Sequence, residues 1–89
     1  MEILQFTAEW CGPCKAMQPR MQEFASEMGD KIKLSVINVD TNPELTDKYS
    51  VRNIPTFIFI QNEEVVERLV GAQPIAKFKE IVTEYASKN

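Results

Sequence analysis

Cys11 and Cys14 are the only thiols in this 89-residue chain, and they stand two residues apart in Trp10-Cys11-Gly12-Pro13-Cys14-Lys15. A pair so spaced can close as a disulfide and reopen, which is two-electron chemistry, or it can hold part of a metal site. An apolar, strand-like run (Ile3, Leu4, Phe6) precedes the pair, and a helix-like run (Met17, Met21, Phe24, Met28) follows it. A helix that begins just after Cys11 turns its unpaired N–H groups and the positive end of its dipole toward the first sulfur, which favours thiolate over thiol. Cys11 is therefore the expected nucleophile. Cys14, one turn further on, is within reach of Cys11 for a disulfide but screened by the turn above it, and is the expected resolving thiol. Pro13 gives up no needed N–H in the first turn and stiffens it, while Gly12 leaves a substrate room to approach.

Structural zinc would need two further cysteine or histidine ligands, and the chain has no histidine and no third cysteine. Carboxylates or a partner chain could still complete such a site. A purely structural disulfide gains little from closing so short a loop. The expectation is a redox pair with no metal and no cofactor.

A net charge of −3, with no basic run and no basic–aromatic interleaving, argues against nucleic acid as a partner. Polar residues interrupt every apolar run well short of a membrane-spanning length, and the N-terminus has neither the basic region nor the cleavage site of a signal peptide. A cytoplasmic protein is expected. In that compartment neighbouring cysteines serve catalysis or redox sensing more often than architecture. With 44% apolar and 26% charged residues, the composition predicts one globular domain over residues 1–89.

The elements that must position the pair follow in order. Residues 2–7 read as a strand buried in the middle of a sheet, which delivers Cys11 to the sheet's carboxyl edge. Met17, Met21, Phe24 and Met28 recur at helical spacing as the core face of a helix that Gly29 stops, and Pro19 inside it predicts a kink. Ile32, Leu34, Val36, Ile37 and Val39 form a second strand, parallel to the first by a right-handed crossover. Asn42 before Pro43 reads as the cap of a short helix with Leu45 and Tyr49 on one face. Residues 56–61 and 64–69 read as a hairpin turning at Asn62-Glu63, where a tight turn would prefer glycine to Glu63. Gly71 ends the last strand. Pro74 opens a final helix with Ile75, Phe78, Ile81, Val82 and Tyr85 inward and Lys77, Lys79, Glu80, Glu84 and Lys88 in solvent. The order is βαβαββα, an α/β arrangement with helices for both faces of the sheet.

Trp10-Cys11-Gly12-Pro13-Cys14, Ile54-Pro55-Thr56 and Val70-Gly71-Ala72 together resemble the thioredoxin family, at matching spacing over essentially the whole chain. The resemblance implies a thioredoxin-like fold in which Pro55 is cis and packs opposite the cysteines. Trp10, Gly12, Pro13, Ile54, Pro55, Val70, Gly71 and Ala72 would then form the substrate groove, with Gln5 and Lys15 modulating the pair. It further implies a monomeric protein disulfide reductase that takes disulfide-containing proteins as substrates and a thioredoxin reductase as electron donor. A glutathione-linked, glutaredoxin-like enzyme and a binding module in which redox is incidental are the rival readings, the former disfavoured by Gly12-Pro13 between the cysteines.

Three departures from the family pattern stand out. The family usually begins with one more strand and helix, so a mixed sheet of four strands, not five, is expected, as in the smaller glutaredoxin-like and archaeal-type thioredoxins. The family's buried aspartate beneath the cysteines falls at Gln5 and its lysine partner at Val36, which removes the buried carboxylate held to help Cys14 ionise. A family glycine falls at Asn53.

Overall fold

The computed structural model describes residues 1–86. Four strands, β1 (Glu2–Thr7), β2 (Lys33–Asn38), β3 (Thr56–Gln61) and β4 (Glu64–Val70), form one mixed sheet in the order β2-β1-β3-β4. Three helices accompany them: α1 (Gly12–Met28), α2 (Pro43–Lys48) and α3 (Ile75–Ala86). The four strands and the βαβαββα order agree with the sequence reading. β1 runs parallel to β2, as the crossover through α1 requires, and antiparallel to β3.

Alternation along β1 divides its side chains between two cores. Ile3 joins Met17, Met21 and Phe24 of α1 and Phe78, Ile81 and Val82 of α3, together with Phe57 and Phe59 of β3. Phe78 is the centre of this core, with ring centroids 4.8 Å from Phe57, 5.8 Å from Phe59 and 6.1 Å from Phe24. Leu4 and Phe6 face the other way, with Ile37 and Ile58, and are covered by Tyr49, Val51 and Ile54, the segment that follows α2. The methionine stripe is thus core, with Met28 half-buried at its end.

Gly29 (φ 56°) ends α1, and its N–H bonds to the Ala25 carbonyl before a 3₁₀ turn over Gly29–Lys31 that the sequence reading lacked. Pro19 lies within α1, which continues past it to Met28. Asn42 occupies the cap position of α2 but does not cap it with its side chain. Its Nδ2 instead donates to the Asn38 carbonyl at 3.0 Å and to Thr41 Oγ1 at 3.1 Å, so the amide ties the end of β2 to the loop rather than to the helix. Of Leu45 and Tyr49, only Tyr49, the C-cap of α2, packs on the sheet, against Phe6, while Leu45 remains exposed. On α3, Lys77, Lys79, Glu80 and Glu84 are exposed as expected, with Lys79 paired to Glu27 of α1 at 3.3 Å, and Lys88 lies outside the described residues.

Asn62 and Glu63 have φ of 54° and 66°, so the hairpin turns in two residues with both in the left-handed region. For Glu63 that conformation costs about 1–2 kcal/mol, against which glycine's additional chain entropy weighs about 0.5–1 kcal/mol. Glu63→Gly is expected to stabilise the fold by about 0.5–1 kcal/mol. A higher midpoint in denaturant unfolding would show it, and an unchanged midpoint would mean that the turn carries no such strain. Further along, Phe59 pairs with Glu67 but Ile60 with Val65, which leaves Val66 as a bulge in β4. The Tyr85 hydroxyl donates to the Val66 carbonyl at 3.0 Å and so anchors α3 to the bulge.

Candidate functional site

Cys11 is the N-cap of α1, and its own sulfur does the capping. With φ −91° and ψ 109° it stands just outside the helix, and Cys11 Sγ accepts the N–H of Cys14 at 3.2 Å. A sulfur in that position receives the helix's free donor and the positive end of its dipole together. Cys11 and Cys14 are joined as a disulfide, with Cα atoms 5.3 Å apart. Cys11 retains 5% of its surface in solvent and Cys14 none. Ala8 packs against both, with Val39 and Ile54 closing the cluster from two other segments.

Pro13 sits in the first turn of α1, where its missing N–H costs nothing. A Cβ at Gly12 would meet nothing within 4 Å, so packing within the protein does not require glycine there. The Ile54–Pro55 bond is cis. Pro55 is fully buried, and the carbonyl of Ile54 lies 3.9 Å from Cys11 Sγ. Gly71 (φ 86°) bends the chain out of β4 so that its N–H reaches the Pro55 carbonyl at 2.7 Å. The conformation favours glycine at that position. Exposed Val70 and Ala72 flank it. The structure therefore brings the Cys11 helix start and the Ile54–Pro55 turn together, and it ties the Val70–Ala72 bend to that turn.

Gln5 is fully buried on the α1 side of β1, opposite Val36 in register. Lys15 is exposed and forms no ion pair among the described residues, beside a hollow lined also by Glu9, Trp10, Asn38, Asp40 and Thr41.

Two contributors escaped the sequence reading. Asp40, in the turn after β2, accepts the indole N–H of Trp10 at 2.9 Å on Oδ2. Trp10 is 69% exposed, so this bond is what orients a large aromatic surface beside the cysteines. Trp10 then walls a groove of about 340 Å³ whose other sides are Val39, Thr46, Val51, Arg52, Asn53 and Ile54. Arg68 of β4 donates to the carbonyl of Tyr49, the C-cap of α2, which fastens the segment leading to this groove. Neither contact has a local sequence signal, since each joins residues 19 or 30 apart.

A cysteine pair that closes across the first turn of a helix, with one sulfur capping the helix start and the other fully enclosed, can accept and release two electrons without a cofactor. Fold and site in combination define a dithiol–disulfide oxidoreductase. The family model of thioredoxin matches residues 1–84, and the chain belongs to the thioredoxin family. It is 43% identical over 83 residues to thioredoxin of Bacillus subtilis (strain 168), covering 93% of this chain and 80% of that one. Thioredoxin of Rhodospirillum rubrum is 42% identical over 79 residues, 89% of this chain and 76% of the relative. Among solved structures, thioredoxin 1 of Thermosipho africanus superposes with a TM-score of 0.87 at 29% identity, covering 98% of this chain and 96% of that one. Thioredoxin of Fasciola hepatica gives 0.86 at 36% identity, over 93% of this chain and 78% of that one. The protein is a thiol–disulfide oxidoreductase, and its substrates are protein disulfides. No helix among the described residues is long and apolar enough to cross a membrane.

Proposed function

We propose that residues 1–89 act as one domain, a monomeric and general protein disulfide reductase of the cytoplasm, re-reduced by a thioredoxin reductase. The observation that carries this reading is the asymmetry of the pair: the Cys11 sulfur caps the helix start and keeps a small solvent-exposed edge, while Cys14, inside the first turn, has none. In the reduced protein Cys11 is the thiolate that attacks a substrate disulfide, releasing one substrate sulfur and forming a mixed disulfide. Cys14 then attacks Cys11 Sγ, the substrate leaves as a thiol, and the pair ends as the disulfide. Two electrons have passed to the substrate.

Substrate backbone pairs with the chain at Ile54, whose N–H has no partner among the described residues and whose carbonyl lies beside Cys11 Sγ. In this reading Trp10, Gly12 and Pro13 border the substrate on one side and Val70, Gly71 and Ala72 on the other, with Pro55, itself buried, holding the turn to which Gly71 is bonded. Main-chain pairing with few side-chain demands suits a protein that serves many substrates.

Reduction of insulin disulfides, driven in parallel by NADPH with thioredoxin reductase and by NADPH with glutathione and its reductase, tests this. Turnover is expected in the first system at a rate well above the second. Efficient turnover with glutathione alone would replace the proposed donor. Double replacement of Cys11 and Cys14 by serine should remove all activity, whereas a scaffold would keep its biological effect.

A further inference from the structure

Gln5 is one of two buried polar side chains in the described structure, and the other, Thr56, is satisfied by the Asn53 carbonyl. Neither Oε1 nor Nε2 of Gln5 has a hydrogen-bond partner. An amide kept without partners in a core is costly, and such a group calls for a role. Thr56 pairs in register with Phe6 and so lies on the opposite face of the sheet. On its own face, Gln5 is the next inward residue along β1 after Ile3, which shares a core with Met17 and Met21, and Cys14 continues the buried stripe of α1 that carries those methionines, one turn nearer the helix start. It is flanked by Phe57 on β3 and Val36 on β2, neither of which can hydrogen-bond through its side chain. The one group above it whose hydrogen-bonding power changes during the reaction is the buried sulfur of Cys14. In the disulfide that sulfur is a weak acceptor, and as a thiolate it is a strong one.

We propose that Gln5 is the hydrogen-bond donor to Cys14: its side-chain amide, unpartnered in the disulfide form, donates to the Cys14 sulfur once the disulfide has opened and stabilises the thiolate that resolves the mixed disulfide. The amide is a dipole fixed in advance where negative charge appears only transiently, in a site closed to water. The inference rests on the reading of Cys14 as the resolving cysteine. In the step itself the Cys14 proton passes to the departing substrate sulfur, Cys14 Sγ bonds to Cys11 Sγ, the bond from Cys11 to the substrate breaks, and the substrate leaves as a thiol. No other base is needed. Ala8, Val39 and Ile54 pack around the pair without a charge, and neighbouring Lys15 is exposed to solvent. Gln5 is therefore the polar group placed to favour the Cys14 anion.

The test replaces Gln5 by methionine, close in size and unable to donate, with Gln5→Leu as a second apolar variant should the first not fold. Thiolate absorbance in the Cys11→Ser background follows Cys14 alone, independently of any role in turnover. The Cys14 titration is expected to move to higher pH in Cys11→Ser/Gln5→Met than in Cys11→Ser. With both cysteines present, resolution of a preformed mixed disulfide is expected to slow about tenfold near neutral pH, the scale of one charge-assisted hydrogen bond. With Gln5 intact, its side-chain amide proton signals should follow the Cys14 titration in NMR spectra. An unmoved titration overturns the proposal whatever happens to stability, because a purely structural Gln5 would change unfolding and leave Cys14 alone. A moved titration with an unchanged rate keeps the hydrogen bond and places the failure in the assignment of Cys14 as the resolving cysteine.

Discussion

Cys11→Ser is expected to abolish disulfide reduction while leaving the fold in place. The serine hydroxyl can still accept the Cys14 N–H and cap α1, since serine is among the preferred N-caps, so the helix start survives. What is lost is the nucleophile. A hydroxyl at neutral pH has neither the anionic fraction nor the intrinsic reactivity of a thiolate favoured by a helix N-terminus. Removal of a nucleophile costs on the order of 10⁶-fold in turnover, which in a reductase assay reads as complete loss. Thermal unfolding of Cys11→Ser compared with the reduced wild type separates the two effects: an unfolded variant would make the loss uninformative about chemistry, and residual activity above background would remove Cys11 from the nucleophile's role.

Phe78→Ala has the largest expected effect on stability. The ring is fully buried and meets Phe24 of α1 and Phe57 and Phe59 of β3, edge-on to Phe57 at 4.8 Å, so one side chain joins both helices on that face to the central strands. Truncation forfeits the transfer energy of the ring and leaves a cavity that its three aromatic neighbours can only partly fill. The cost is about 3–5 kcal/mol. Against a total stability of about 5–15 kcal/mol for a small domain, the variant should stand close to unfolding at room temperature. Urea unfolding followed by circular dichroism measures the loss, and a cost below about 1.5 kcal/mol would mean that α3 is not the closure of the main core.

The redox site was legible in the sequence because its chemistry is local. A cysteine spacing, a proline in the first turn and a helical stripe of methionines specify between them a thiol at a helix start, and Asn62-Glu63 marks a two-residue turn even without its preferred glycine. Asn42 misled because an amide before a helix is offered two acceptors, and the end of β2 competes with the helix for it. Asp40 on Trp10, Arg68 on Tyr49 and the bulge at Val66 were not legible, since each depends on strands and loops far apart in sequence being brought into register. Gln5 was visible as a departure from the family pattern, but not as a fully buried amide without partners. That property exists only once β1, β2, β3 and α1 have closed around it.

The division of labour within the pair is the centre of the account, and a Cys14→Ser variant tests it most directly. Incubated in reduced form with a protein disulfide substrate, it can carry out the first attack but has no thiol to resolve the product. Mass spectrometry of the quenched, non-reduced mixture should then find one substrate molecule bound covalently to each protein chain, with peptide mapping placing the bond at Cys11. Accumulation of no adduct, or an adduct on Cys14 when Cys11→Ser is treated in the same way, would contradict it.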